Sequence, residues 1–238
     1  GTYAPSTGFT GGYRVLPYLD TTEPKHAPLK NFCFYVLQSN GPKWVPGFGS
    51  AFGEAAAQWE AQLAKDGSAK FVEVCQQFTF NFLVRAVLGA DPAAAESAGV
   101  KPALAGKGPS YVQAWTGAQL APQVSLGLPW PIEEFLHLVP LPPFLVSSQY
   151  NKVYEFFAAH GKDVLEAAAQ RFGLDKEEAC HNLLFYICFN TWGGIQILFP
   201  SIVQRIAKAG LGLQKELAAE VRAAVELSGP DGPDRSSD

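Results

Sequence analysis

The sequence lacks methionine altogether and is poor in charge. Charged residues make up 17% of the 238 positions, and acidic side chains outnumber basic ones to give a net charge of −4. This balance is unlike the basic surface that binds nucleic acid, so we expect no nucleic-acid partner. Because a natural translation product begins with methionine, we expect this chain to be an internal piece of a longer protein.

Cysteine is also scarce, and its spacing carries no motif. The four cysteines, Cys33, Cys75, Cys180 and Cys188, are far apart and form no C-x-x-C pair. This pattern lacks the spacing of a zinc site or of a dithiol redox motif. We therefore predict reduced, buried thiols in an intracellular protein.

One long stretch lacks charge completely. No charged residue occurs between Glu178 and Arg205. Asp175 begins a sequence typical of a capping box, with Glu178 three residues later. We predict one helix from Asp175 to about Ala209, which is either buried in a core or set in a membrane.

Polar and small residues interrupt this stretch near its middle. They are Asn190, Gly193, Gly194 and Gln196. Amide side chains are costly inside a bilayer, which favours a core helix over a membrane span. Each glycine costs about 1 kcal/mol relative to alanine in a helix. We expect either another backbone or a flat ligand to approach closely there, and Asn190 to be either a satisfied core amide or a ligand contact.

Helical spacing predicts one face for this helix. The residues expected to share it are Leu183, Tyr186 or Ile187, Asn190, Gly193 or Gly194, and Ile197.

The rest of the chain is predicted to be mainly helical. The predicted helices are a segment from Pro24 to Leu37 (irregular at first or beginning near Pro28), Ser50–Lys65 with Ser50 as N-cap, Phe71–Leu88, two short helices at Tyr111–Leu120 and Ile132–Leu138, Ser148–Phe172, and Gln214–Leu227. We expect one domain over 1–227. The tail at 228–238 contains no apolar residue beyond glycine and proline, and it should be disordered.

Several stretches resemble the plant cytochromes P-450 that metabolise fatty acid hydroperoxides, most closely the allene oxide synthases. The matching sequences are GTYAPSTGFTGGYRVLPYLDTTEPKHAPLKNF, FNFLVRAVLGADPA, SLGLP, LPLPPFLV and EEACHNLLFYICFNTWGGIQILFP. The resemblance implies the central helical part of the haem-thiolate fold, with the long helix crossing the distal face of haem b. It also implies that His26 and Lys30 bind the haem propionates. The cysteine loop that ligates the haem iron in the family is absent, so we expect this chain alone to be inactive.

The resemblance assigns the catalytic role to Asn190. It implies that Asn190 hydrogen-bonds the hydroperoxide, with Gly193, Gly194 and Gln196 also contacting the substrate. The implied reaction is homolytic cleavage of the O–O bond at ferric haem and closure of the alkoxyl radical to an epoxide next to a carbon radical. Electron transfer from this radical to the iron and loss of a proton then give an allene oxide and water. It needs no O2, no NADPH and no reductase.

The resemblance leaves some alternatives open. Many allene oxide synthases carry lysine where this chain has Gln196, so substrate affinity or regiochemistry, including the choice of 9- or 13-hydroperoxides, can differ. Hydroperoxide lyase and divinyl ether synthase are related activities, and a truncated, non-catalytic lipid-binding product is another. The family resemblance implies a plastid location and leaves open a peripheral association with a membrane.

Overall fold

The computed structural model describes residues 5–123, 125, 127–139 and 141–228, which contain helices and no strand. The α-helices are α1 (His26–Ser39), α2 (Gly41–Asp66), α3 (Phe71–Leu88), α4 (Gly108–Leu120), α5 (Trp130–Leu138), α6 (Ser147–His160), α7 (Lys162–Phe172), α8 (Lys176–Leu184), α9 (Gly193–Ala209) and α10 (Leu211–Ser228). Short 3-10 helices lie at Thr7–Thr10, Leu16–Tyr18, Glu96–Ala98 and Pro143–Val146. The prediction of a mainly helical fold is confirmed.

The chain divides into two compact units, Gly1–Gln196 and Ile197–Asp238. The expectation of a single domain over 1–227 stays a prediction. The disordered tail was expected at 228–238. Ser228 ends α10, and the remaining tail residues lie outside the described part of the chain.

The predicted long helix is present. A π-helical segment, Phe185–Trp192, joins α8 to α9, so that one helix runs from Lys176 to Ala209. Asp175 caps it as predicted, because its carboxylate accepts hydrogen bonds from the N–H groups of Glu177 and Glu178. A capping box also requires the Glu178 carboxylate to accept a hydrogen bond from the backbone N–H of Asp175, and this part of the prediction is wrong. The Glu178 carboxylate instead accepts two hydrogen bonds of 2.9 Å from Lys25 Nζ.

The length and composition of this helix are compatible with a membrane span. Among the described residues, 176–209 is the one helix that is long and apolar enough, by length and composition alone. Its first part is nevertheless buried without interruption from Glu178 to Cys188. Burial of this kind is expected of a core helix in a large domain, and it supports the core interpretation for that part.

Helix α2 begins earlier than predicted. It starts at Gly41, so the assignment of Ser50 as an N-cap is wrong. The glycines and prolines before Ser50 disfavour a helix, but the Trp44 ring packs edge-on against Phe82 with centroids 5.6 Å apart. Tertiary packing therefore outweighs local propensity here. The predicted end is confirmed, because Gly67 caps the helix with a φ of 66°.

The single helix predicted over Ser148–Phe172 is two helices, and they meet at Gly161. The Gly161 N–H bonds to the carbonyl oxygen of Phe157 at 2.8 Å. A β carbon on residue 161 would lie 2.6 Å from that same oxygen. A side chain would therefore force the backbone to move, which explains why the break occurs at glycine.

The core of the first unit surrounds α8 and the π-helical segment. Its largest fully buried side chains are Trp115, Trp192, Phe32, Phe80, Phe156, Phe157, Phe185, Leu29, Leu83, Leu104, Leu183 and Leu184. Burying each contributes roughly 1.5–3 kcal/mol before entropy is counted. Cys75, Cys180 and Cys188 are buried, Cys33 is half-buried, and all four are reduced, as predicted.

Hydrogen bonds fix the chain before α1 against this core. The Asn182 side-chain oxygen accepts from the Leu16 N–H at 2.9 Å, and the Trp115 indole N–H donates to the Phe9 carbonyl at 2.8 Å. Both side chains are buried. This segment, which contains no α-helix, is therefore held in one position beside α8.

His181 forms a second attachment point for the same segment. Its ring stacks on Tyr154 with centroids 4.4 Å apart, and Nε2 lies 4.0 Å from a Glu177 carboxylate oxygen. That carboxylate favours a proton on Nε2, so Nδ1 accepts the 2.5 Å hydrogen bond from the Tyr150 hydroxyl. Gly11, with a φ of 65°, passes so close that a β carbon would lie 2.2 Å from Nε2.

We expect His181 to make stability depend on pH. Burial lowers its pKa from 6.5 to about 4. The unfolded chain therefore binds a proton at a higher pH than the folded chain. The stabilisation is complete above pH 6.5 and is lost as the pH falls towards 4, by about 3 kcal/mol. Urea unfolding at pH 7 and pH 4 tests this against His181→Gln, which cannot titrate. If the free energy of unfolding fell equally between pH 7 and pH 4 in both proteins, His181 would be excluded as the source of the pH dependence.

Candidate functional site

A π-helical segment occupies the centre of the long helix. At its end, the Gly193 N–H bonds to the carbonyls of Asn190 and, five residues back, Cys188. Such i→i+5 segments are rare and occur frequently at functional sites. The segment coincides with the stretch where the sequence places the candidate residues.

The residues of the predicted face differ in burial. Leu183, Tyr186 and Ile187 are buried, whereas Asn190 and Ile197 are exposed. The prediction assumed 3.6 residues per turn throughout, and a π-helical turn contains more. The extra residue in each π turn changes which side chains line up along the helix.

Asn190 is accessible for binding. Its side chain is exposed, and no hydrogen-bond partner for its amide occurs among the described residues. Within the described part of the chain, Asn190 is therefore not a satisfied core amide. Its amide offers two N–H donors and one acceptor oxygen.

The glycine pair leaves open space beside Asn190. A β carbon on Gly194 would meet no described atom within 4 Å, and one on Gly193 would meet only the Cys188 carbonyl, at 3.7 Å. Close approach of another backbone, the simpler explanation of the pair, is therefore absent from the described part of the chain. The bare helix surface is open to a flat ligand.

Gln196 makes a contact that sequence reasoning missed. Its side-chain oxygen accepts a 3.1 Å hydrogen bond from Gln76 Nε2 on α3. The backbone carbonyl of Gln76 accepts a 2.9 Å hydrogen bond from the indole N–H of Trp192. These two bonds attach α3 to the long helix on both sides of the glycine pair. A glutamine in an amphipathic helix gives no sequence signal that it pairs with a residue 120 positions away.

His26 and Lys30 lie one turn apart in α1. His26 is half-buried and Lys30 is exposed. The nearby cations Arg14 and Lys25 each pair with a glutamate. In contrast, no carboxylate of the described residues lies within ion-pair distance of His26 or Lys30. Two basic side chains on one helical face that form no ion pair with a described carboxylate suit a ligand that brings its own carboxylates.

A direct contact places α1 beside the π-helical segment. The Tyr186 hydroxyl donates to the Leu29 carbonyl at 3.3 Å. Leu29 immediately precedes Lys30, and Tyr186 lies four residues before Asn190. The structure therefore brings the helix of the cationic pair next to the segment that carries the candidate amide. The only sequence signal for this contact is a lone tyrosine in an apolar run.

The cysteines do not provide a thiolate. Burial raises the pKa of Cys75 to about 11 and that of Cys180 to about 12, and it also raises the pKa values of Cys33 and Cys188. Neutral thiols predominate at physiological pH in all four positions. None of them suits a metal that requires a thiolate ligand.

Curated plant proteins are similar to nearly the whole chain. An allene oxide synthase of Parthenium argentatum is 43% identical over 230 residues, covering 96% of this chain and 47% of that protein. A chloroplastic allene oxide synthase of Linum usitatissimum is 44% identical over 230 residues, covering 96% and 41%. A divinyl ether synthase of Selaginella moellendorffii is 37% identical over 236 residues, covering 98% and 46%. The chain spans somewhat less than half the length of these relatives. No family model matches it.

Proposed function

This chain is homologous over nearly its whole length to plant allene oxide synthases, and we propose that the whole protein converts fatty acid hydroperoxides to allene oxides. The observation that supports this proposal most directly is the exposed Asn190 amide beside the open glycine pair. Asn190 lies in the π-helical segment, and the glycine pair begins α9 directly after it.

The residues of this chain fit a haem on one side of the long helix. His26 and Lys30 form no ion pair with a carboxylate of the described residues, and they would bind the two propionates. Haem, when bound, supplies the one-electron chemistry that cleaves the O–O bond. The four cysteines are neutral thiols, so we propose that the thiolate ligand comes from a part of the protein outside this chain.

Asn190 would hold the hydroperoxide. Its amide can donate one hydrogen bond to the distal oxygen and accept one from the O–O–H group. A fixed amide keeps the peroxide in one orientation and lowers the entropic cost of reaching the reacting geometry. No acidic residue occurs between Glu178 and Arg205 to deliver protons to dioxygen. This composition supports chemistry that begins from a ready-made peroxide, without O2, NADPH or a reductase.

The product distinguishes this function from its relatives. Full-length protein expressed from the complete transcript should convert 13-hydroperoxylinoleic acid to an allene oxide, detected as ketols after hydrolysis. Mass spectrometry of the products at early times measures this directly. Heat-denatured protein and the reduced 13-hydroxy acid serve as controls. Short-chain aldehydes would assign a hydroperoxide lyase, and a divinyl ether would assign the activity named for the Selaginella moellendorffii relative.

The cationic pair should contribute to haem retention. Replacing both His26 and Lys30 with glutamine removes two charge-assisted contacts, and we expect haem affinity to fall by about tenfold or more. Haem transfer to apomyoglobin measures the loss. The matched control is Lys25→Gln, which removes a nearby cation that pairs with Glu178 instead. Equal haem release from all three proteins would exclude the pair from propionate binding.

The proposed cellular location and substrate also come from the similarity to these relatives. The relatives from Linum usitatissimum and Arabidopsis thaliana are named as chloroplastic, and we propose a plastid location for this protein. The fatty acid hydroperoxide is its proposed substrate. A peripheral association with a membrane remains part of the proposal, because the substrate partitions into lipid.

A further inference from the structure

We propose that Gln76 fixes the orientation of the Gln196 amide, so that Gln196 presents its NH2 group to a bound ligand. This inference rests on the proposed function, since it concerns how the same site recognises its substrate. It assigns a positioning role to Gln76, a residue on α3 that precedes the long helix by about a hundred positions.

The hydrogen bond between the two amides sets this orientation. A glutamine amide has one acceptor oxygen and one NH2 group with two donors. Gln76 Nε2 donates to Gln196 Oε1 at 3.1 Å, which turns the oxygen of Gln196 towards α3. The NH2 group of Gln196 lies on the other branch of the amide and is available to contact a ligand.

The supporting backbone is held in place independently. The indole N–H of Trp192 donates to the Gln76 carbonyl at 2.9 Å, and Trp192 is completely buried. The Trp192 ring packs edge-on against Phe80, one turn further along α3, with centroids 6.0 Å apart. The Gln76 side chain therefore starts from a fixed point, and its amide reaches Gln196 from one direction.

A neutral donor at this position defines the chemical class of the ligand. An N–H group can bind any acceptor oxygen, whether it belongs to a carboxylate, an ester or a hydroxyl group. A lysine would favour a carboxylate through its charge. We therefore expect a hydroxy fatty acid and its methyl ester to bind with dissociation constants within about threefold of each other, because the Gln196 amide carries no charge that would favour the carboxylate.

Two substitutions at position 76 test the orientation in opposite senses. Gln76→Lys can only donate, so it keeps the Gln196 oxygen engaged. Gln76→Glu can only accept, so it attracts the Gln196 NH2 group and turns the oxygen outward. The probe is the methyl ester of 13-hydroxylinoleic acid, an unreactive and uncharged analogue, titrated calorimetrically into the full-length protein. Each substitution is also made in a protein that carries Gln196→Ala. In that background, a change at position 76 can alter the affinity for the ester only through its own charge, because the Gln196 amide is gone.

We expect Gln76→Glu to weaken binding of the ester by about 3- to 10-fold, and Gln76→Lys to change it by less than about twofold. Both differences should vanish in the Gln196→Ala background. As a second variant, Gln196→Lys should make the free acid bind at least about tenfold more tightly than the ester. Circular dichroism confirms that each variant folds.

Equal binding of the ester to the Gln76→Glu and Gln76→Lys proteins would overturn the inference. A difference between them that persists with Gln196→Ala would overturn it as well. If the unsubstituted protein converts the hydroperoxide but shows no coupling between Gln76 and Gln196, only this inference fails. If it neither binds the probes nor converts the hydroperoxide, the proposed function fails together with it.

Discussion

Replacing Asn190 with alanine is expected to lower the turnover of fatty acid hydroperoxides by about 10²- to 10³-fold, the usual cost of removing one preorganised hydrogen-bonding group from a reacting centre. The Asn190 amide has no partner among the described residues and its side chain is exposed. Its removal therefore leaves no buried group unsatisfied, and the free energy of unfolding should change by less than about 0.5 kcal/mol.

The combination of lost turnover and unchanged stability separates a catalytic role from a structural one. Turnover is followed through loss of the conjugated-diene absorbance of the hydroperoxide, in the full-length protein at equal haem content. Asn151→Ala is the matched control, since Asn151 is also exposed on a helix, α6. If Asn190→Ala kept more than about a third of the original turnover, the assignment of Asn190 as the catalytic amide would be wrong.

Gly11→Ala is expected to destabilise the folded protein by about 2–5 kcal/mol. Gly11 has a φ of 65°, a conformation that costs a residue with a β carbon about 1–2 kcal/mol. The new β carbon would also lie 2.2 Å from His181 Nε2, in a buried ring held by Tyr150 and Tyr154. Forcing an extra carbon into such packing costs a further 1–3 kcal/mol or so.

The neighbouring glycine provides an internal control for this prediction. Gly12 has a φ of 90°, but a β carbon there would meet no described atom within 4 Å. Gly12→Ala should therefore show the backbone cost alone. Urea unfolding of both variants at pH 7 measures the difference, and adding His181→Ala should reduce the penalty of Gly11→Ala. Equal losses for the two alanine variants would mean that His181 does not restrict this position.

Local signals in the sequence were sufficient for several elements. The bounds of α3 agree with the prediction at both ends, because apolar residues recur at helical spacing and Gly89 stops the helix. Asp175 was recognised as a cap from its own chemistry. In each case the decisive interaction joins residues that are close in sequence.

The features that the sequence did not predict depend on residues that are far apart in the chain. The early start of α2 depends on Trp44 packing against Phe82, and the pairing of Gln196 depends on Gln76. Both are long-range contacts that local propensity does not register. Asn190 was identified from a resemblance and not from spacing, and the spacing used to predict its face assumed a regular α-helix where the structure has a π-helical segment.

The π-helical segment also limits how residues can be transferred between related proteins. One residue corresponds to a rotation of about 100° around an α-helix axis. A template that runs through residues 185–192 as a regular α-helix would keep the sequence alignment intact and still direct Gln196 to the wrong side relative to Asn190. Grafting a substrate preference into this scaffold therefore requires matching positions around the helix axis, and counting residues from the candidate amide of Asn190 would place the graft incorrectly.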